Sequence, residues 1–123
     1  MKPGVYTQML VQLVFAVKYR ESLLKKPYRE EIFKYASAIV TDRKCKSIIV
    51  NGYTDHIHIF LGLHPTQSVS ELVRDIKRST SLFINNKNWF AGNFQWQEGY
   101  GAFTYSKSQM NNVYQYILNQ EKL

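Results

Sequence analysis

The stretch Asp55-His56-Ile57-His58-Ile59-Phe60-Leu61-Gly62-Leu63 constrains this chain more than any other. Ile57, Ile59, Leu61 and Leu63 recur at every second position, the period of a β-strand with one buried face. The alternate set, His56, His58, Phe60 and Gly62, then lies on the opposite face. Two imidazoles so placed point the same way, a few ångströms apart. Neutral ring nitrogens in that arrangement suit a single metal ion. Taken alone, the pair reads more readily as two ordinary histidines on a half-buried strand. Its meaning depends on what the rest of the chain brings to it.

The remaining elements follow from periodicity and punctuation. Residues from about Val5 to Val17 form a long strand with two alternating sets. Met9, Val11, Leu13, Phe15 and Val17 are wholly apolar and belong to the core. Tyr6, Gln8, Leu10, Gln12 and Val14 are mixed and belong on the side of the histidines. Lys18-Tyr19-Arg20 closes the strand with charge. Pro27 starts a helix whose buried stripe is Ile32, Tyr35, Ala36 and Ile39, with Glu30 and Glu31 near its positive end. Ile48, Ile49 and Val50 begin a second strand, and Asn51-Gly52 to Asp55 is turn-rich. Ser68-Val69-Ser70-Glu71 is a capping-box pattern opening a helix with Val69, Leu72, Val73, Ile76 and Phe83 inward. Asn85 to Asn93 reads as a loop, and Phe94 to about Tyr105 as a strand interrupted at Gly99 and Gly101. Ser106-Lys107-Ser108-Gln109 caps a last helix with the stripe Met110, Val113 and Ile117.

The order βαββαβ followed by a helix predicts an α+β fold of the ferredoxin or RRM-like type: one antiparallel sheet, helices on one face, the other face open. Its 123 residues make one domain, 1–123, with no repeat or internal boundary. A net charge of +7 and a pI near 9.5 favour an anionic partner, nucleic acid first. Cys45 is the only cysteine, which excludes an intrachain disulfide and a cysteine-based zinc site. A reducing, cytoplasmic and nucleoid-associated setting is the expectation. The apolar stretch Met9 to Val17 leads into Lys18-Tyr19-Arg20, so neither a signal peptide nor a membrane span is expected there.

Tyr116 and Gln120 stand four residues apart and share a helix face. If that helix crosses the open sheet face, Gln120 offers an amide oxygen to an ion held by His56 and His58. Tyr116 then points at the same ion's substrate. A tyrosine hydroxyl can attack phosphorus and store the phosphodiester energy in a covalent bond. Tyr105 and Tyr114 are rival nucleophiles, but neither has a ligand-type residue four positions on.

With these residues in place, the chain resembles the single-tyrosine transposases of the HUH type, which mobilise insertion sequences as single-stranded DNA, and their palindrome-associated relatives. The matching motifs are Val14-Phe15-Ala16-Val17-Lys18-Tyr19-Arg20, Val50-Asn51-Gly52-Tyr53-Thr54-Asp55-His56-Ile57-His58, Trp96-Gln97-Glu98-Gly99-Tyr100-Gly101-Ala102-Phe103 and Tyr116-Ile117-Leu118-Asn119-Gln120. The resemblance implies that His56, His58 and Gln120 hold Mg²⁺ or Mn²⁺ and that Tyr116 is the nucleophile. It further implies a 5′-phosphotyrosine intermediate, recognition of hairpin DNA at element ends, and a homodimer. The long first strand offers an edge on which a second copy could pair. Gln12 stands where some relatives carry a histidine.

Lys18, Arg20 and Trp96, inside the matching motifs, are expected DNA contacts. Arg74, Lys77 and Arg78 share one helix face, which is either solvated or phosphate-binding. The alternative function is a non-catalytic or host-adopted single-strand-binding protein, with Trp89, Phe90, Trp96 and Tyr100 as stacking surfaces.

Overall fold

The computed structural model describes residues 9–120. The chain forms β1 (Met9–Ala16), α1 (Lys26–Asp42), β2 (Lys46–Gly52), β3 (His56–Leu63), α2 (Val69–Lys87), β4 (Gly101–Tyr105) and α3 (Met110–Leu118). Short 3₁₀ turns lie at Lys18–Arg20 and Lys107–Gln109. The sheet order is β2-β3-β1-β4, antiparallel throughout. This is the α+β architecture that the element order predicts. The part of the first strand expected before Met9, including Tyr6 and Gln8, lies outside the described residues.

Alternation within β1 and β3 divides the sheet into two faces. Val11, Leu13, Phe15, Ile57, Ile59 and Leu61 are buried on one face against Ile32, Ala36 and Val40 of α1 and Leu72, Val73 and Ile76 of α2. Phe60 faces the other way and is buried beneath Val113 and Ile117 of α3. The register Gln12↔Phe60, Val14↔His58 and Ala16↔His56 sets Gln12 on the same face as the histidines.

Several boundaries differ from the sequence-based expectation, each for a tertiary reason. β1 is paired on both sides, by β3 and β4, so it has no free edge for a second copy; the outer strands are β2 and β4. Asn51 and Gly52 pair with β3 instead of forming the turn, which falls at 53–55. α2 runs past Asn85 to Lys87 because Ile84 is buried and the Asn85 side chain bonds Phe94 at both its N–H and its carbonyl. The helix stops at Asn88, which adopts a left-handed conformation (φ 56°). The stretch 94–99 is extended only through a bridge between Val17 and Trp96, and β4 begins beyond Gly99 (φ 89°). Tyr35 stacks on Phe83 at the rim of the core, and Met110 is largely exposed.

Gly52 sits at the end of β2 where the hairpin closes toward His56. A Cβ there would collide with the His56 carbonyl oxygen and stand 2.9 Å from the Ile57 Cα. Both obstacles are backbone, so they yield only by shifting the strand that carries the histidines. Gly52→Ala is expected to destabilise the fold by about 1–3 kcal/mol, the usual range for forced overpacking. Urea denaturation checks it; an unchanged midpoint would show that the hairpin moves freely.

Candidate active site

The two histidines project from β3 with ring centroids 5.1 Å apart. Each ring is fixed through its Nδ1. His56 Nδ1 bonds the Asp55 carboxylate at 2.8 Å, and Asp55 also accepts from Arg20 Nε at 3.0 Å. Burial raises the Asp55 carboxyl pKa, but the hydrogen bond from His56 and the charge of Arg20 outweigh it and hold the group below its usual range. His58 Nδ1 bonds Gln12 Oε1 at 2.6 Å, and Gln12 Nε2 donates to the Tyr105 hydroxyl at 2.8 Å. An acceptor on Nδ1 assigns the ring hydrogen to that nitrogen and leaves Nε2 as the lone-pair donor in the neutral ring. Ligating histidines are habitually held this way.

Gln120 completes the group. Its Nε2 donates to the Tyr116 carbonyl at 3.2 Å, which turns Oε1 toward His56 Nε2 at 3.1 Å. A ring nitrogen and an amide oxygen at that distance share either a hydrogen on the ring or a cation between them. Among the described residues no three His, Cys, Asp or Glu side chains converge. The donor set is instead two imidazoles and one amide oxygen, all uncharged, which fits a divalent ion that keeps other positions for substrate oxygens.

α3 brings Tyr116 to the same place. Its ring lies 6.0 Å from that of His58, and the side chain is 53% exposed. The helix is seated by Val113 and Ile117 on Phe60. Its C-terminal end is tied down by Asn51, whose Nδ2 donates to the carbonyls of Ile117 (2.9 Å) and Leu118 (3.2 Å). Carbonyls of a last helical turn run out of following N–H groups, and at this end only the Asn119 N–H also reaches Ile117 O. The complete Ser106–Gln109 capping box fixes the other end. Tyr116, His56, His58 and Gln120 line one open cleft with Arg20, Gln97, Glu98, Gly99 and Tyr100. Its volume of about 550 Å³ admits a nucleotide. A second cleft lies on the other side of Tyr116, along Gln12, Phe103, Tyr105 and Asn112.

The other expected DNA contacts fare differently. Arg20 reaches the cleft, and Lys18 lies nearby with Nζ on Gln95 Oε1 at 2.9 Å. Trp96 is only 8% exposed. Its ring meets Phe15 and Phe94 edge-on and its Nε1 donates to Thr80, so the indole is a core group and offers no face to a base. Trp89 and Phe90 pack on Tyr28 and the core. Arg74, Lys77 and Arg78 belong to α2, behind the sheet. Arg74 and Arg78 face Glu71 and Asp75 at 3.9 and 3.7 Å. Lys77 donates to the carbonyls of Gln97 (2.8 Å) and Gly99 (2.6 Å), bracing the rim of the cleft. Sequence reasoning did not assign Asp55, Gln12, Asn51 or Tyr105 to the site. Only Asp55, adjacent to His56, and Gln12, a lone amide among apolar residues, left a trace of their role.

A strand-borne histidine pair and a helix-borne tyrosine meeting on an open antiparallel sheet define a protein of the tyrosine-transposase class. The chain belongs to the family described as Transposase IS200 like, matched over residues 5–120. It is 24% identical over 124 aligned residues to the ISDra2 transposase TnpA of Deinococcus radiodurans, covering 95% of this chain and 87% of that one. Two solved structures share the fold. A Deinococcus radiodurans transposase superposes with a TM-score of 0.72 at 23% identity, covering 95% of this chain and 94% of the other. A REP-associated tyrosine transposase bound to a REP hairpin superposes with a TM-score of 0.69 at 15% identity, covering 93% and 67%.

Burial, then the charge of His56, push the His58 pKa from 6.5 down to about 4, against a smaller upward pull from the Gln120 amide oxygen. His58 is therefore neutral at physiological pH, as a ligand must be. Between those two values the unfolded chain binds a proton that the folded chain refuses. In metal-free buffer, stability is expected to fall as pH drops from 6.5 to about 4, with no contribution from this group above that window. His58→Gln should flatten that fall. Urea midpoints across the range test it; parallel curves for the two proteins would contradict the assignment.

Proposed function

We propose that this chain cleaves and rejoins single-stranded DNA through a 5′-phosphotyrosine intermediate on Tyr116, with a divalent ion held by His56, His58 and Gln120. The observation that carries the reading is the convergence of Tyr116 on the two pinned imidazoles and the Gln120 amide within one cleft. Membership of the transposase family supports it.

The Tyr116 oxygen attacks the scissile phosphorus and loses its proton. The bond from phosphorus to the 3′ oxygen breaks, and that oxygen leaves protonated. Rejoining reverses the step: a 3′ hydroxyl attacks the phosphotyrosine and the phenol is restored. Mg²⁺ or Mn²⁺, when bound, withdraws charge from the phosphate oxygens. The Tyr116 side chain is exposed to the cleft, so an incoming phosphate can reach its hydroxyl. Tyr116 and Gln120 ride on one rigid segment, which keeps nucleophile and ligand in fixed relation. Hairpin DNA is the substrate we assign, by analogy with the relative solved on a REP hairpin. A homodimer is part of the reading, and among the described residues β4, with the half-exposed Phe103, is one of two outer strands on which a second copy could pair.

Tyr116→Phe is expected to abolish the denaturant-resistant protein–DNA adduct while leaving DNA binding nearly intact, because it removes one exposed oxygen and keeps the ring. Tyr105→Phe and Tyr114→Phe should still form the adduct. Labelled hairpin DNA with Mn²⁺ and a denaturing gel provide the measurement. An adduct on Tyr116→Phe would move the nucleophile elsewhere; binding without any adduct in the unaltered chain would favour a passive DNA-binding protein.

Mn²⁺ titration followed by calorimetry tests the metal site. Binding should vanish in the His56→Ala/His58→Ala double variant. It should weaken about 10–100-fold in Asp55→Ala, which frees the His56 ring without removing a ligand. Equal binding by all three proteins would remove the ion from the mechanism.

A further inference from the structure

Where β1 ends, Tyr19 and Arg20 both take left-handed backbone conformations, with φ of 60° and 56°. Non-glycine residues are strained in that region, and here two stand in succession. The fold gains little hydrophobic burial from Tyr19 in return. Its side chain is 78% exposed, more than any other large apolar or aromatic group among the described residues. The turn is nevertheless held firmly. Tyr19 N donates to Gln97 Oε1 at 3.2 Å, Lys18 N to the Gln95 carbonyl at 3.0 Å, and Arg20 N to the Val17 carbonyl at 2.8 Å. Lys18 Nζ lies 5.4 Å from the centre of the Tyr19 ring, and its side-chain partner is the neutral Gln95 amide. The ring is thus presented to solvent on a fixed backbone, with the Lys18 ammonium group over one of its faces.

Its position relative to Tyr116 gives this a function. Lys18 and Tyr19 line a cleft whose wall is Gln97, Glu98 and Gly99. The same three residues form the wall of the cleft holding Tyr116, the histidines and Arg20. Lys77 braces that shared wall from below. A strand whose phosphate lies against Tyr116 therefore passes over residues 97–99 to reach Tyr19.

We propose that Tyr19 is the stacking platform of a nucleotide subsite for single-stranded DNA, on the far side of the 97–99 wall from Tyr116, with Lys18 and Arg20 on the flanking phosphates. This rests on the single-stranded DNA reading above. Glu98, on the shared wall, repels phosphate and keeps the backbone on the Lys18 side, with the base turned to the ring. Stacking is tolerant of sequence, because every base has a π-face.

The test uses a DNA hairpin with a single-stranded flank, the hairpin fixing the register, and one fluorescent base analogue moved position by position along the flank; the protein is made cleavage-silent by Tyr116→Phe. The parent should quench the analogue at one position. Adding Tyr19→Phe should preserve the quench, whereas Tyr19→Ala should remove it and weaken binding about tenfold. Thermal unfolding should be alike in all three, since the side chain is exposed. Binding and quenching that do not change with Tyr19→Ala would overturn the subsite alone. No binding by the parent would overturn the DNA reading and the subsite together. Failure of the unaltered chain to form an adduct, with the Tyr19 dependence intact, would leave the subsite standing and remove the covalent chemistry.

Discussion

The seating of α3 on the sheet is the interaction on which the site depends. Phe60, Val113 and Ile117 form a small apolar cluster separate from the main core, and it is the glue between helix and strands. Fully burying Phe60 and Ile117 contributes about 1.5–3 kcal/mol each. The two Asn51 bonds to the helix end contribute about 1 kcal/mol each. Burial therefore supplies most of the attachment, and Asn51 supplies its direction. A helix resting on the apolar cluster alone could rotate or slide. Anchored at its last carbonyls, it can present Tyr116 and Gln120 to the histidines in only one way.

The histidines receive a matching restraint from the opposite side. Asp55 and Gln12 take the Nδ1 hydrogens, so each ring has one tautomer and one orientation. Gln12 is itself oriented by Tyr105, and Asp55 by Arg20. Partners on β1, the hairpin turn, β4 and α3 thus converge on two side chains of β3. This explains why β1 occupies the middle of the sheet. A central strand carries Gln12 beside His58 on one side and receives Tyr105 from β4 on the other.

Cationic residues turn out to serve two different ends. Lys77 and Arg43 are used up in holding the fold: one braces the cleft rim through carbonyls, the other binds Asp75 at 2.9 Å. Arg20 and Lys18 sit at the cleft with weaker commitments, one to a carboxylate and the other to a neutral amide. A net charge of +7 therefore overstates the positive field available to a DNA strand. At the cleft itself, Lys18 and Arg20 lie together at the end of β1, where the chain turns sharply past Tyr19.

Local pattern determined much of this protein. Alternation in 56–63 determined both the core face and the shared face of the histidines, because side chains on a strand have only two directions to choose from. The spacing of Tyr116 and Gln120 put both on one side of the last helical segment; α3 ends at Leu118, and Gln120, in the turn beyond it, reaches back to the Tyr116 carbonyl. The capping box at Ser106 located the start of that helix. What pattern could not determine was anything that depends on two segments meeting. Trp96 looked like a DNA contact because its motif is near the site, yet its indole turns inward to Phe15, Phe94 and Thr80. Lys77 lay on a polar helix face, and only the path of residues 97–99 turned its ammonium group into a brace. Asn51 resembled a turn residue until α3 arrived above it with its last carbonyls in reach. Each of these roles rests on a contact between residues distant in the chain, which local periodicity does not encode and only tertiary packing decides.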